Sequence, residues 1–220
     1  MPSIRKTIHD PVIMSTPTLL HLDASPRGER SHSRKLGEQF VNAWKSAHTG
    51  GRVLSNDLGK NPPPFVTEAW VEGAFTPPAG HSAAARDAIA VSDRFVDELL
   101  AADEILITTP LYNLNIPADL KAWIDQIVRF GRTFTQTANG FAGLATGKQV
   151  TVLVASGSDF RPTGPLGGYN FLEPYLRAIL GFIGITDVKF VYAHSLNQGD
   201  EIRTQALAEA SAATLALATA

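Results

Sequence analysis

The sequence predicts an α/β fold: one five-stranded parallel sheet with helices on both faces. Three observations carry this. Short apolar runs alternate along the 220 residues with longer stretches whose apolar residues recur at helical spacing. The run Glu104–Thr109 is apolar enough to be a strand buried on both faces. It ends in a polar, aromatic turn, Pro110-Leu111-Tyr112-Asn113-Leu114-Asn115-Ile116-Pro117, which leads directly into a helix.

The first strand is Thr18–Asp23, followed by a loop over Ala24–His32 and a helix from about Ser33. Leu36, Phe40, Val41 and Trp44 form the apolar face of that helix, and Gly50-Gly51 stops it. Arg52–Asp57 is a short second strand. Residues 58–80 hold Pro62-Pro63-Pro64 and Pro77-Pro78 and are too long for an ordinary connection. Phe65, Trp70, Val71 and Phe75 demand burial there. The segment therefore predicts an irregular loop with a helical turn near Glu68, packed over a partner subunit or beside a ligand cleft.

A helix over 82–101 carries Ile89, Phe95, Val96, Leu99 and Leu100 inward. Strand three is 104–109, and the helix over 117–130 buries Leu120, Trp123, Ile124, Ile127 and Val128. A short excursion at Thr133–Thr135 precedes Gly140. Val150–Val154 is strand four, 170–183 a helix, Val188–Tyr192 strand five, and 199–217 an Ala-rich last helix. Right-handed crossovers leave few topologies, and the strand order 2-1-3-4-5 is the expected one. Residues 1–17 read as an extension ahead of a single domain over 18–220.

Composition excludes several classes. Net charge is −2, so no basic excess marks a nucleic-acid surface. There is no cysteine, which removes disulfides, thiolate nucleophiles and iron–sulfur clusters. No segment reaches the ~20 consecutive apolar residues of a membrane span. Residues 1–17 lack the apolar region of a secretory signal, so a cytoplasmic enzyme is the default expectation. The six histidines are scattered without metal-ligand spacing, so no metal site is expected.

Ligands of open α/β sheets sit beyond the carboxyl ends of the strands. After strand one, Ser25, Ser31 and Ser33 offer hydroxyls beside a helix N-terminus, whose free N–H groups and dipole favour anions. Arg27 and Arg30 add charge, and His32 lies in the same segment. Ser31 or Ser33 could equally serve only as a helix cap. After strand three, Tyr112 offers a flat face, while Asn113 and Asn115 offer amides; Asn also suits a helix entry, and Tyr112 a half-buried core position. Ala155-Ser156-Gly157-Ser158 closes strand four with small residues that let backbone approach a ligand edge. Together they suit a phosphate at one end and a flat, heteroatom-rich ring at the other.

Other motifs fail. No G-x-G-x-x-G is present, and Gly143–Gln149 has neither the spacing nor the following helix of a P-loop. Ser158, Asp187 and His194 stand in hydrolase order, but the residues around Ser158 do not form a G-x-S-x-G elbow.

On these residues the chain resembles the FMN-dependent NADH-azoreductases, a branch of the flavodoxin-like quinone reductases. Their serine followed six residues later by S-x-S is matched by Ser25, Ser31, His32 and Ser33. Their P-M-Y-N-F-x-I-P signature is matched by Pro110–Pro117, and their F-L-G-F-I-G-I-T-D-V run by Tyr175–Val188. The resemblance covers roughly residues 18–215. It implies non-covalent FMN, one per subunit, at a homodimer interface, with NADH or NADPH as donor and a quinone or azo compound as acceptor. By position, Ser25 and Ser31–Ser33 would take the phosphate, Pro110 to Leu114 would line the isoalloxazine, and Ala155–Ser158 would border its polar edge. Two-electron ping-pong transfer would follow: hydride from the nicotinamide, then reduction of the acceptor on the same face. No catalytic side chain is implied. Ala155–Ser158 lacks the arginine of the family's S-R-G-G, and Leu111 and Leu114 replace Met and Phe. The alternative is a flavodoxin-like electron carrier or flavin sensor without an organic substrate.

Overall fold

A computed structural model describes residues 16–220; the expected extension over 1–17 lies outside the described residues except for Thr16 and Pro17. The sheet consists of β1 (Thr18–Asp23), β2 (Arg52–Asp57), β3 (Glu104–Pro110), β6 (Gln149–Ala155) and β7 (Asp187–Ala193). All pairings are parallel, in the order β2-β1-β3-β6-β7, which is 2-1-3-4-5 among the sheet strands. Register is continuous across the middle: Leu20 pairs with Leu54 on one side and Ile105 on the other, and Ile107 pairs with Val152.

Alternation along the strands sends side chains to two cores. Leu20, Leu22, Ile105, Ile107, Val152 and Val154 join α3 (Ala83–Ala101), α4 (Ala118–Ile127) and α5 (Leu172–Phe182) on one face. Leu19, Leu106, Leu153 and Val191 meet α1 (His32–Ala47) and α6 (Asp200–Ala218) on the other. Gly37 lets α1 press onto the sheet, since a Cβ there would stand 2.5 Å from the Thr108 methyl.

Three segments differ from expectation. Helix α4 stops at Ile127 rather than 130, because the Thr133 hydroxyl donates to the Ile127 carbonyl (2.7 Å) and accepts from the Arg129 amide (2.9 Å), replacing the next helical turn. The excursion at 133–135 is a two-stranded hairpin, β4 (Phe134–Thr137) and β5 (Gly140–Gly143). Its end lies so close to the α5–β7 turn that a Cβ on Gly143 would fall 2.1 Å from the Gly184 nitrogen.

The long loop contains α2 (Glu68–Phe75), capped by the Thr67 hydroxyl accepting from the Trp70 amide (3.3 Å). Trp70 turns inward. Its indole N–H donates to Gln126 Oε1 (2.8 Å), and the Gln126 amide donates to the Pro64 carbonyl (2.8 Å). Phe65 and Phe75 stay exposed.

Candidate functional site

The turn after β1 is rigidly tied. The Ala24 amide donates to the Thr108 carbonyl (2.9 Å), carrying sheet pairing one residue past the strand. The Ser25 amide then donates to Asp23 (3.3 Å). Arg34, in the first turn of α1, reaches back to Asp23 (3.0 Å), to both oxygens of Asp57 (2.8 and 3.1 Å) and to the Ser25 carbonyl (3.0 Å). Burial raises the Asp23 pKa, and Arg34 opposes that rise. Hydrogen bonding to Arg34 lowers the Asp57 pKa.

Helix α1 starts at His32, one residue earlier than expected, and Ser31 is its cap: the Ser31 hydroxyl accepts from the Arg34 amide (3.3 Å). It also lies 3.1 Å from the Ser33 hydroxyl, and Ser25, Ser31 and Ser33 are all buried.

After β3, the Leu111 amide donates to the Ala155 carbonyl (2.9 Å). Tyr112 and Asn115 exchange backbone hydrogen bonds of 3.0 Å in both directions, with Asn113 at φ +47° and Leu114 at φ +72°. Two consecutive positive φ values at the centre of a tight turn are the primed-turn geometry. This leaves the amides of Asn113 and Leu114 without a hydrogen-bond partner among the described residues. The Leu114 carbonyl is held by the Phe171 amide (3.0 Å). A left-handed leucine is strained. Here the surrounding hydrogen bonds hold it in place.

After β6, the Ser156 hydroxyl donates to the Ser158 carbonyl (2.8 Å). The loop after β7 closes against this turn: Leu196 and Asn197 amides donate to Ser156 and Gly157 carbonyls (3.1 and 3.0 Å), helped by Ser195 at φ +57°. A Cβ on Gly157 would stand 2.5 Å from the Asn197 side-chain amide, so a side chain here would displace Asn197.

These turns enclose a polar cavity of about 240 Å³, lined by Ser25, Ser31, His32 and Ser33 from the first, Pro110, Leu111 and Tyr112 from the second, and Ala155, Ser156 and Gly157 from the third. Tyr112 also borders a second, larger cavity of about 790 Å³, which Asn113 lines together with Leu58, Pro62, Phe65 and Ile116. Leu114 and Ser158 line neither cavity. Sequence reasoning missed Leu196, Asn197 and Arg203, which complete the polar cavity. The rule used for the other strands, applied to the carboxyl end of β7, would have found Leu196 and Asn197 but not Arg203, which lies in α6.

The cavity is electropositive. The pKa of His32 is lowered, first by burial and then by Arg27, Lys35 and Arg203, so the imidazole is neutral at pH 7. Buried hydroxyls, a helix N-terminus and two lining arginines make a site for an anion.

Arg132, Arg161 and Arg177 bind carboxylates near them: Asp93 and Asp97, Asp159, and Glu173 respectively. The hydrolase order also fails in space. Asp187 opens β7 and His194 follows its last residue, so seven steps along the strand at roughly 3.3 Å each separate them.

A family model described as a flavodoxin-like fold matches residues 17–217. An FMN-dependent NADH:quinone oxidoreductase of Nostoc punctiforme is 54% identical over 195 residues, covering 89% of this chain and 95% of that protein. One from Pseudomonas fluorescens is 43% identical over 208 residues, covering 92% and 98%. Among solved structures, an azoreductase from Bacillus anthracis superposes with a TM-score of 0.85 at 30% identity, covering 92% of this chain and 99% of that one. Strand order, the three turns and these relatives agree: the chain belongs to the flavodoxin-like family that includes the FMN-dependent NADH:quinone oxidoreductases and azoreductases.

Proposed function

We propose that this protein is an FMN-dependent NAD(P)H oxidoreductase that reduces quinones and azo compounds by two-electron ping-pong transfer, working as a cytoplasmic homodimer with one FMN per subunit. The observation that carries the reading is the convergence of the Ser25–Ser33, Pro110–Tyr112 and Ala155–Gly157 turns on one polar cavity, in a chain 54% identical to an FMN-dependent NADH:quinone oxidoreductase.

The residues fit the cofactor. Sites that enclose a whole small-molecule ligand start at roughly 300 Å³. A cavity of about 240 Å³ therefore suits the phosphate-bearing chain and leaves the ring to the rim at Tyr112. When bound, FMN supplies the hydride chemistry, and the protein supplies orientation and electrostatics. Ser25, Ser31 and Ser33 donate to the phosphate at the start of α1. The free amides of Asn113 and Leu114 supply preorganised donors to the polar edge of the ring, where such dipoles stabilise negative charge. Ser156, committed to the Ser158 carbonyl, leaves the backbone of Ala155–Gly157 to border that edge.

Dimerisation is supported by exposed apolar surface. Phe65 is 73% exposed and lines the larger cavity, which opens beside Tyr112. A second subunit over this face would exclude water from the ring. Among the described residues no helix is long and apolar enough to cross a membrane.

The test is steady-state oxidation of NADH and of NADPH by the FMN-loaded protein, with menadione and an azo dye as acceptors. Turnover with both acceptors is expected. A protein that retains FMN but does not oxidise either nicotinamide is a carrier or sensor, and the reading fails.

A further inference from the structure

Arg203 lines the polar cavity from a part of the chain far from the serines, the first turn of α6. Its guanidinium bends back over the turn after β7, donating to the Leu196 carbonyl (3.4 Å) and pairing with Asp200. Asp200 is 92% exposed, and a pair so open to water holds weakly. The other cations near the cavity differ. Arg34 is fully engaged by Asp23 and Asp57. Arg27 lies on an exposed loop with no side-chain partner among the described residues, and Lys35 does not reach the lining. Among the described residues Arg203 is thus the one lining cation that is held over the cavity and whose only carboxylate partner is exposed and exchangeable.

We infer that Arg203 recognises the charge of the flavin's terminal phosphate, exchanging Asp200 for it, and that this residue sets the preference for phosphorylated over unphosphorylated flavin. The inference rests on the FMN reading of the site. Its physical basis is that hydroxyls and backbone amides hold a phosphate by hydrogen bonding, whereas a guanidinium adds net charge and a planar pair of donors. His32, which lines the same cavity as Ser31 and Ser33, has its pKa lowered by burial first and then by Arg27, Lys35 and Arg203.

The experiment is titration of flavin-stripped full-length protein with FMN and with riboflavin, followed by flavin fluorescence, in the wild type, Arg203→Gln and Arg203→Lys. Wild type is expected to prefer FMN. Arg203→Gln should lose tenfold or more in FMN affinity with riboflavin affinity unchanged, and Arg203→Lys should recover part of the loss. FMN binding should also weaken less with added salt in Arg203→Gln than in wild type, because one screened charge is gone. An unchanged FMN-to-riboflavin ratio in Arg203→Gln overturns the inference while leaving the FMN site intact. That result with a raised KM for NADH would assign Arg203 to the nicotinamide donor. A wild type that binds neither flavin overturns the FMN reading itself.

Discussion

Arg34 grips Asp57 with two parallel hydrogen bonds, 2.8 and 3.1 Å long, while the same guanidinium holds the carbonyl of Ser25. One side chain thus joins the ends of β1 and β2 to the first turn of α1 and shapes the serine loop without lining the cavity. Asp23, only 5% exposed, depends on the same charge. Arg34→Met strands a buried carboxylate, and breaking such a pair costs about 3–5 kcal/mol. Urea denaturation should show that loss, with weaker FMN binding. Arg34→Lys restores the charge but not the fork and should fall between. Wild-type stability in Arg34→Met would contradict the role.

Ser31 and Ser33 separate capping from ligand binding. Ser31→Ala removes both a cap, worth about 1 kcal/mol of stability, and a phosphate donor. Ser33→Ala removes the donor and its hydrogen bond to Ser31 but leaves the cap. Each should lower FMN affinity by about 1.5–3 kcal/mol, the worth of a hydrogen bond to a charged group. Ser31→Ala should lower the melting temperature more than Ser33→Ala does. Equal melting temperatures with unequal FMN binding would reverse the assignment.

Trp70 belongs to the subunit core rather than to a partner's cover. Its indole is 7% exposed and bonded to Gln126. Trp70→Ala should destabilise the monomer by roughly 3–5 kcal/mol, as large-to-small core changes do. Phe65→Ser, at an exposed ring on the rim of the larger cavity, should leave stability unchanged and alter sedimentation or acceptor KM. The opposite pattern would move the interface elsewhere.

Leu114 tests the strained turn. At φ +72° a β-branched side chain is strongly disfavoured, whereas glycine fits. Leu114→Val should cost about 1–2 kcal/mol and weaken flavin binding, while Leu114→Gly keeps the turn. Indistinguishable flavin affinities in the two variants would show that the Asn113 and Leu114 amides are not donors.

His21 predicts a pH dependence. Burial, with Arg34 adding to it, lowers its pKa from 6.5 to about 4, and its Nε2 has no hydrogen-bond partner. As pH falls below 6.5 the unfolded imidazole takes a proton and the native one does not. Stability is therefore fully present above 6.5 and declines until about 4, by about 3 kcal/mol. His32, also lowered, acts in the same sense, whereas the raised Asp23 opposes it. Urea midpoints between pH 7 and 4 should fall, and less so in His21→Asn. A flat wild-type profile would contradict the shift.

The central strands β1, β3 and β6 were legible because each is a run buried on both faces, whereas the edge strand Arg52–Asp57 is polar and half-exposed; the expected limits of Thr18–Asp23 and Arg52–Asp57 both match the observed ones. The polar turns were legible because they sit at strand ends. The hairpin was not. Phe134–Thr137 is only partly buried, and Gly140–Gly143 carries no β-branched residue, so neither shows the strand pattern. The inward turn of Trp70 was hidden because its partner Gln126 lies 56 residues away. Arg203 was hidden because a charged residue on an Ala-rich helix looks like solvent-facing surface until the fold sets α6 beside α1.

The central claim is that the cavity at the carboxyl ends of β1, β3 and β6 holds the phosphate of FMN. Equilibrium titration of the full chain with FMN, beside the combined variant Ser25→Ala, Ser31→Ala and Ser33→Ala, tests it most directly. The account predicts one FMN bound per wild-type chain and loss of that binding in the folded triple variant. Folded wild-type protein that fails to retain FMN at excess, or a triple variant that binds it with undiminished affinity, would contradict it.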